Sequence, residues 1–168
     1  MDDENAIEKC RNGEQEAFRH LVERYQKQAV SHATAILGNR DDALDAAQEA
    51  FIDAFRALKK FDNSRPFYPW FYVLLRNRCY KLVSRKRELE SIDETVIVAS
   101  NSAAQSEDIL ELEHALRALD MEDREIITLK YLDGLSYNEL AERLQIPKGT
   151  VMSRLFQARR KLQANLER

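Results

Sequence analysis

Four glycines and three prolines are few for 168 residues. No segment shows the period-2 alternation of a half-buried strand. Both shortages argue against a sheet and for an all-α chain. There are two cysteines, Cys10 and Cys79, far apart and without a C-x-x-C pair, so both are expected as reduced thiols, Cys79 inside a helix. His20, His32 and His114 share no metal-ligand spacing and are expected as ordinary helix residues. No run of about 18 apolar residues could cross a bilayer, and the acidic N-terminus lacks the basic-then-apolar order of a secretion signal. The expectation is a cytoplasmic protein with no direct membrane insertion. A nucleotide loop, a metal cluster and a catalytic dyad are also missing, so the chain is expected to bind rather than catalyse, with no cofactor.

The net charge of −3 is small and does not suggest a nucleic-acid binder, but its distribution does. Arg65, Arg76, Arg78, Lys81, Arg85, Lys86 and Arg87 follow one another without an intervening acid. A second basic stretch runs from Arg143 to the C-terminus, with Glu167 its one acid. Between them, Glu88 to Glu113 holds eight acids and no base. Two basic islands on one chain suggest two nucleic-acid contacts.

Helical periodicity organises both islands. Phe18, Leu21, Val22, Tyr25, Ala29, Ala33, Ile36 and Leu37 predict one helix, stopped at Gly38-Asn39. Asp41 can cap the next, whose apolar face is Ala43, Ala47, Ala50, Phe51, Ala54, Phe55 and Leu58. The turn formers of "FDNSRPF" (Phe61 to Phe67) precede a third helix from about Tyr68 to Arg87, with Pro69 tolerated in its first turn. The small, polar stretch 91–107 reads as a flexible linker. Beyond it, Ile109, Leu112, Leu116 and Leu119 predict a helix, and Glu122 to Leu132 another that stops at Gly134. The expected organisation is two small helical domains, 1–90 and 108–168, joined by 91–107.

The C-terminal domain carries the more specific pattern. In "SYNELAERL", Ser136 and Glu139 form an S-x-x-E capping box, and Leu140, Ala141 and Leu144 face inward. A Gln145-Ile146-Pro147 turn leads into a basic helix, completing a helix-turn-helix. On a helical wheel Val151, Leu155, Ala158 and Leu162 form one narrow stripe. Opposite lie Ser153, Phe156, Gln157 and Arg160, with Met152 and Arg159 on one flank and Arg154 and Lys161 on the other. An aromatic among hydrogen-bonding and cationic side chains suits a DNA major groove. Phe156 can pack on a thymine methyl, Gln157 can pair with adenine, Arg160 can meet guanine or a phosphate, and Arg159 and Lys161 are expected on phosphates.

The chain resembles the extracytoplasmic-function (ECF) sigma factors of the sigma-70 family. The residues from Asp41 to Arg87 look like their region 2, and those from Asp123 to Leu162 are similar to their region 4. The resemblance implies a transcription initiation factor that carries core RNA polymerase to promoters. Region 2 would bind the β′ clamp helices through Asp45, Gln48 and Glu49 of "DAAQEAF". Its loop residues Asp62, Asn63, Ser64 and Arg65 would lie over the non-template strand of the −10 element. Tyr68, Trp70, Tyr72 and Asn77 of "FYPWFYVLLRN" are expected beside them, since aromatic faces stack on single-stranded bases; Phe67, Phe71 and Leu74 are spaced to pack inward. Region 4 would sit on the β flap and read the −35 duplex through Lys148, Thr150, Met152, Ser153, Phe156, Gln157, Arg159 and Arg160. An anti-sigma partner is also implied. Against the family's pattern, Val73, Met152 and Gln157 stand where Arg is common, which bears on promoter preference, and Leu119-Asp120 replaces a usual Leu-Pro. The alternatives are a stand-alone helix-turn-helix regulator and an adaptor that mimics polymerase contacts.

Overall fold

The computed structural model describes residues 1–90 and 107–167, with side chains over 1–89 and 110–167. The expected linker falls outside the described residues, apart from Glu107, which opens a helix. Two compact units result, Met1–Thr95 and Val96–Arg168. Among the described residues every regular element is a helix or a 3-10 turn.

The first unit holds α1 (Asp3–Arg11), α2 (Phe18–Leu37), α3 (Arg40–Ala57) and α4 (Phe67–Glu90), with 3-10 turns at Gln15–Ala17 and Leu58–Lys60. Helix α1 has no apolar stripe and buries only Ala6 and Ile7. Its signals are terminal: Asp2 accepts the Asn5 amide at 2.8 Å, Asp3 and Glu4 open it, and Lys9 and Arg11 close it. Helix α2 ends where Gly38 takes φ 71°, a left-handed turn that a side chain disfavours. The cap of α3 is Asn39, not the expected Asp41. The Asn39 side chain accepts the Asp42 amide at 3.0 Å, and both aspartates lie in the first turn, where negative charge suits the helix dipole.

Helix α4 packs against both α2 and α3, and this widens its buried face. Phe67, Phe71, Leu75 and Cys79 make one buried row, and Tyr68 and Tyr72 a second beside it. Alanines 43, 46, 47, 50 and 54 of α3 are buried and let its backbone come close. The rings interlock: Phe51 stacks on Phe71 at 4.4 Å, and Phe67 on Phe71 at 5.7 Å. Each such ring contributes about 1.5–3 kcal/mol through removal of apolar surface from water. Leu74, expected inward, is only half-buried; Leu75 takes the core position.

The second unit holds α5 (Glu107–Arg117), α6 (Met121–Tyr131), α7 (Tyr137–Leu144) and α8 (Lys148–Leu166). Ala115 and Leu119 are buried from α5 and its following turn, whereas Leu112, expected inward, is 43% exposed. Ile126 and Leu129 of α6, Leu140 of α7 and Leu155 of α8 form the centre of the core. The capping box is complete: Glu139 donates its amide to Ser136 Oγ at 3.2 Å, and the Ser136 amide donates to the Glu139 carboxylate at 2.7 Å. These bonds hold the Glu139 carboxyl below its usual range. Gln145 closes α7 in the left-handed region at φ 55°, without glycine's freedom there.

Candidate nucleic-acid interface

Helix α8 separates its faces as the wheel requires. Val151, Leu155 and Ala158 are fully buried and Leu162 is half-buried. Ser153, Gln157 and Arg160 are exposed, and Phe156 and Met152 are 55% and 52% exposed. The Arg160 guanidinium lies 5.9 Å from the Phe156 ring centroid, one helical turn away. Ser153 Oγ donates to the Thr150 carbonyl at 3.1 Å. Lys148 and Arg159 are exposed and Thr150 partly so. Together they form an outward row of donors, acceptors, cations and one aromatic on a rigid helix.

Lys161 does not belong to that row. Its ammonium donates to Asp120 at 2.9 Å and to Asp123 at 2.5 Å, which ties α8 to the start of α6 and raises its pKa. The expected phosphate contact is therefore corrected to an internal bond. Asp120 is the N-cap residue of α6, yet its side chain makes no capping hydrogen bond and instead holds Lys161. Arg154 likewise pairs with Glu122 at 3.6 Å.

In the first unit, Asp62 organises the loop before α4. Its Oδ1 accepts the Ser64 amide at 3.0 Å and the Ser64 hydroxyl at 2.7 Å, and Arg65 Nε lies 3.5 Å from its Oδ2. The Ser64 bonds hold the Asp62 carboxyl below its usual range, with Arg65 and Arg11 adding to the effect. Ser64 and Arg65 are exposed, while Asn63 Oδ1 is buried without a hydrogen-bond partner. Trp70 is half-buried at the base of the loop, its ring 4.6 Å from that of Phe61. Asn77 is exposed one face further along α4.

Tyr68 and Tyr72 are corrections. They are 7% and 1% exposed, because the second helix packed on α4 claims the row that they occupy. The Tyr68 hydroxyl meets His32 Nδ1 at 2.6 Å, and Tyr72 sets its ring edge-on to the same buried histidine. Neither offers a ring face to DNA in this conformation. His32, read as an ordinary helix residue, is the polar centre of this aromatic cluster.

Asp45, Gln48 and Glu49 are all exposed on α3 but border two different hollows. Asp45 and Glu49 edge a groove of about 400 Å³ with Arg78, Lys81 and Arg85 of α4. Gln48 edges an apolar groove of about 700 Å³ between α2 and α3, lined by Phe18, Val22, Leu44, Ile52 and Phe55. The periodic reading placed Phe55 inward; it is 37% exposed, and Leu44 is 45% exposed. A signal was present, since the apolar residues of α3 exceed one stripe. The basic island of α4 is partly neutralised within the unit. Arg78 makes a paired contact with Asp53, at 2.5 and 2.6 Å, and lies 3.5 Å from Glu49, and Lys86 pairs with Asp42. The Arg78 bond holds the Asp53 carboxyl below its usual range.

Two family models match: sigma-70 region 2 over residues 21–88 and sigma-70 region 4 over residues 109–162. The chain is 35% identical to the ECF RNA polymerase sigma-E factor of Escherichia coli strain K12, over 95% of this chain and 91% of that protein. The solved structure of CnrH, in complex with the cytosolic domain of CnrY, is similar at a TM-score of 0.71 with 28% identity, covering 98% of this chain and 97% of that one. An engineered region 2 of sigmaE, solved in complex with GTAAAA, is 38% identical at a TM-score of 0.50, covering 54% of this chain and 95% of that one. With both regions matched in order, and with a sigma-E relative 35% identical over 95% of its length, the chain belongs to the ECF sigma factors of the sigma-70 family.

Proposed function

We propose that this chain directs core RNA polymerase to promoters, with its second unit reading the −35 element as duplex and its first engaging the −10 element as single strand. The observation that carries the reading is the outward row of Ser153, Phe156, Gln157 and Arg160 on a helix-turn-helix, in a chain that also has a region 2. A lone regulator needs no such partner domain. Phe156 and Gln157 address base edges in the major groove, Arg160 addresses a guanine or a phosphate, and Lys148 and Arg159 address phosphates. Thr150, Met152 and Ser153 complete the contact surface.

At the −10 element, Asn63, Ser64 and Arg65 supply donors and acceptors to an unstacked base, Trp70 supplies the aromatic surface, and Asn77 a polar contact beyond it. The likeness to a region 2 bound to GTAAAA supports this assignment. Asp62 acts by shaping the loop. Asp45, Gln48 and Glu49 dock the first unit on the β′ clamp helices, and the second unit sits on the β flap. Nucleotide addition belongs to the polymerase, and the chain works in the cytoplasm where the polymerase is. No helix among the described residues is long and apolar enough to cross a membrane. The CnrH complex with the cytosolic domain of CnrY supports control by a protein partner, which the family resemblance implies is an anti-sigma factor.

Run-off transcription with purified core polymerase tests the proposal. The expected result is promoter-specific transcripts that require the full chain. Tight, sequence-specific duplex binding by the free protein, with no transcript from the reconstituted mixture, would contradict it.

A further inference from the structure

Helix α1 lies outside the stretch matched by the region 2 family model, yet it is bonded directly to the entry of the loop from Asp62 to Pro66 and, through Tyr25 of α2, reaches its exit. At the entry, Arg11 Nε donates to the Leu58 carbonyl at 3.2 Å, and Arg11 Nη2 donates to the carbonyl of Phe61, the residue before the loop. At the exit, Asp3 accepts from the Tyr25 hydroxyl and, at 3.1 Å, from Arg24. The Tyr25 ring stacks on Phe67 at 5.6 Å and lies 5.2 Å from Tyr68, the first two residues of α4. One short helix thus holds the chain just before the loop directly, and just after it through the Tyr25 ring.

We infer that α1 is a brace for the −10 loop and that Arg11 is its positioning residue, setting the direction in which Asn63, Ser64 and Arg65 leave Phe61. This rests on reading that loop as the −10 contact. The physical need is clear. A short exposed loop has few buried contacts of its own to hold one conformation, whereas a site that reads a base must be held to about 0.5 Å. The Phe61 carbonyl follows the last helical turn before the loop, and the Leu58 carbonyl within that turn already accepts the Phe61 amide at 3.2 Å. Arg11 adds donors to both carbonyls, from 47 and 50 residues away in sequence. Its planar fork of donors spans two carbonyls; a lysine ammonium at the same position is a point charge and cannot reproduce the pair.

The brace predicts that Arg11 affects which −10 sequence is chosen, which a merely stabilising cap would not. The test uses holoenzyme reconstituted from the full chain and core polymerase, with a promoter library randomised at −10 and a second randomised at −35. Arg11→Ala is expected to lower the preference for wild-type −10 sequences about tenfold, near the lower end of what one base contact discriminates, and to leave the −35 profile unchanged. Arg11→Lys is expected to recover only part of the preference, and it decides the matter if Arg11→Ala does not fold. An unchanged −10 profile, a uniform loss on every −10 sequence, or full recovery by Arg11→Lys would overturn the brace. Asn63→Ala and Arg65→Ala in the same library separate the two levels. If they shift the −10 profile and Arg11 variants do not, the brace falls and the loop reading stands. If none shifts it, the loop reading falls and the brace with it.

Discussion

Phe156 and Tyr72 are both aromatic residues on long helices of small helical units, yet Phe156 is 55% exposed and Tyr72 1%. The difference lies in what covers the helix. Helix α8 packs against α5, α6 and α7 but buries only one stripe among them, Val151, Leu155 and Ala158, so the opposite face is left to solvent. Helix α4 packs against α2 and α3, buries two adjacent rows, and leaves little of its aromatic segment outside. Aromatic content near a nucleic-acid site therefore has two physical meanings. In α8 it is surface available for contact; in α4 it is mostly the rigid core behind the contact, with Trp70 at the boundary.

That contrast is broken or upheld first by stability. Tyr72→Ala removes a fully buried ring and is expected to destabilise the first unit by about 3–5 kcal/mol, seen as a lower denaturant midpoint. Phe156→Ala is expected to change stability by no more than about 0.5 kcal/mol. Equal losses for the two would mean that the rings are not partitioned as described.

Next in size come the base contacts of α8. Phe156→Ala or Gln157→Ala is expected to remove about 1–3 kcal/mol of discrimination at one −35 position. Arg159→Ala, at the proposed phosphate contact, is expected to weaken all sequences alike and flatten the salt dependence. Lys161→Ala is expected to lower the melting temperature of the second unit rather than alter its salt slope, because its bonds go to Asp120 and Asp123.

The periodic patterns of α2, α3 and α8 were readable because each buries a face whose spacing is local. The capping box was readable for the same reason, since Ser136 and Glu139 are neighbours in sequence. What could not be read depends on partners far along the chain. Lys161 looks like a phosphate ligand until Asp120 and Asp123, 41 and 38 residues earlier, come beside it. The second buried row of α4 exists only because two helices cover it. Helix α1 has caps but no stripe, and it is fixed by bonds to Tyr25, Leu58 and Phe61 that no spacing rule anticipates.

Smaller effects sharpen the view of the helix-turn-helix as a rigid mount for α8. Ser136→Ala is expected to cost about 1 kcal/mol through loss of the cap. The pH dependence has a definite sign. Glu139 has a lowered pKa in the folded protein, so its contribution is complete above the usual glutamate range and disappears as pH falls through the lowered value. Glu139→Gln should therefore be less stable than wild type at neutral pH, with the difference closing on acidification, as read from denaturant midpoints at several pH values. Gln145→Gly is expected to stabilise the unit by up to about 1 kcal/mol, since φ 55° suits glycine; a loss of stability would mean that the Gln145 side chain contributes more than its backbone costs.

The most direct test is one selection from a promoter library randomised at both −35 and −10, run with holoenzymes carrying wild-type, Phe156→Ala or Gln157→Ala protein. If α8 reads the groove, each variant changes the −35 sequences recovered and keeps the wild-type −10 preference. Recovery of the wild-type −35 sequences by both variants would contradict that role, because the exposed face of α8 would then not read the groove.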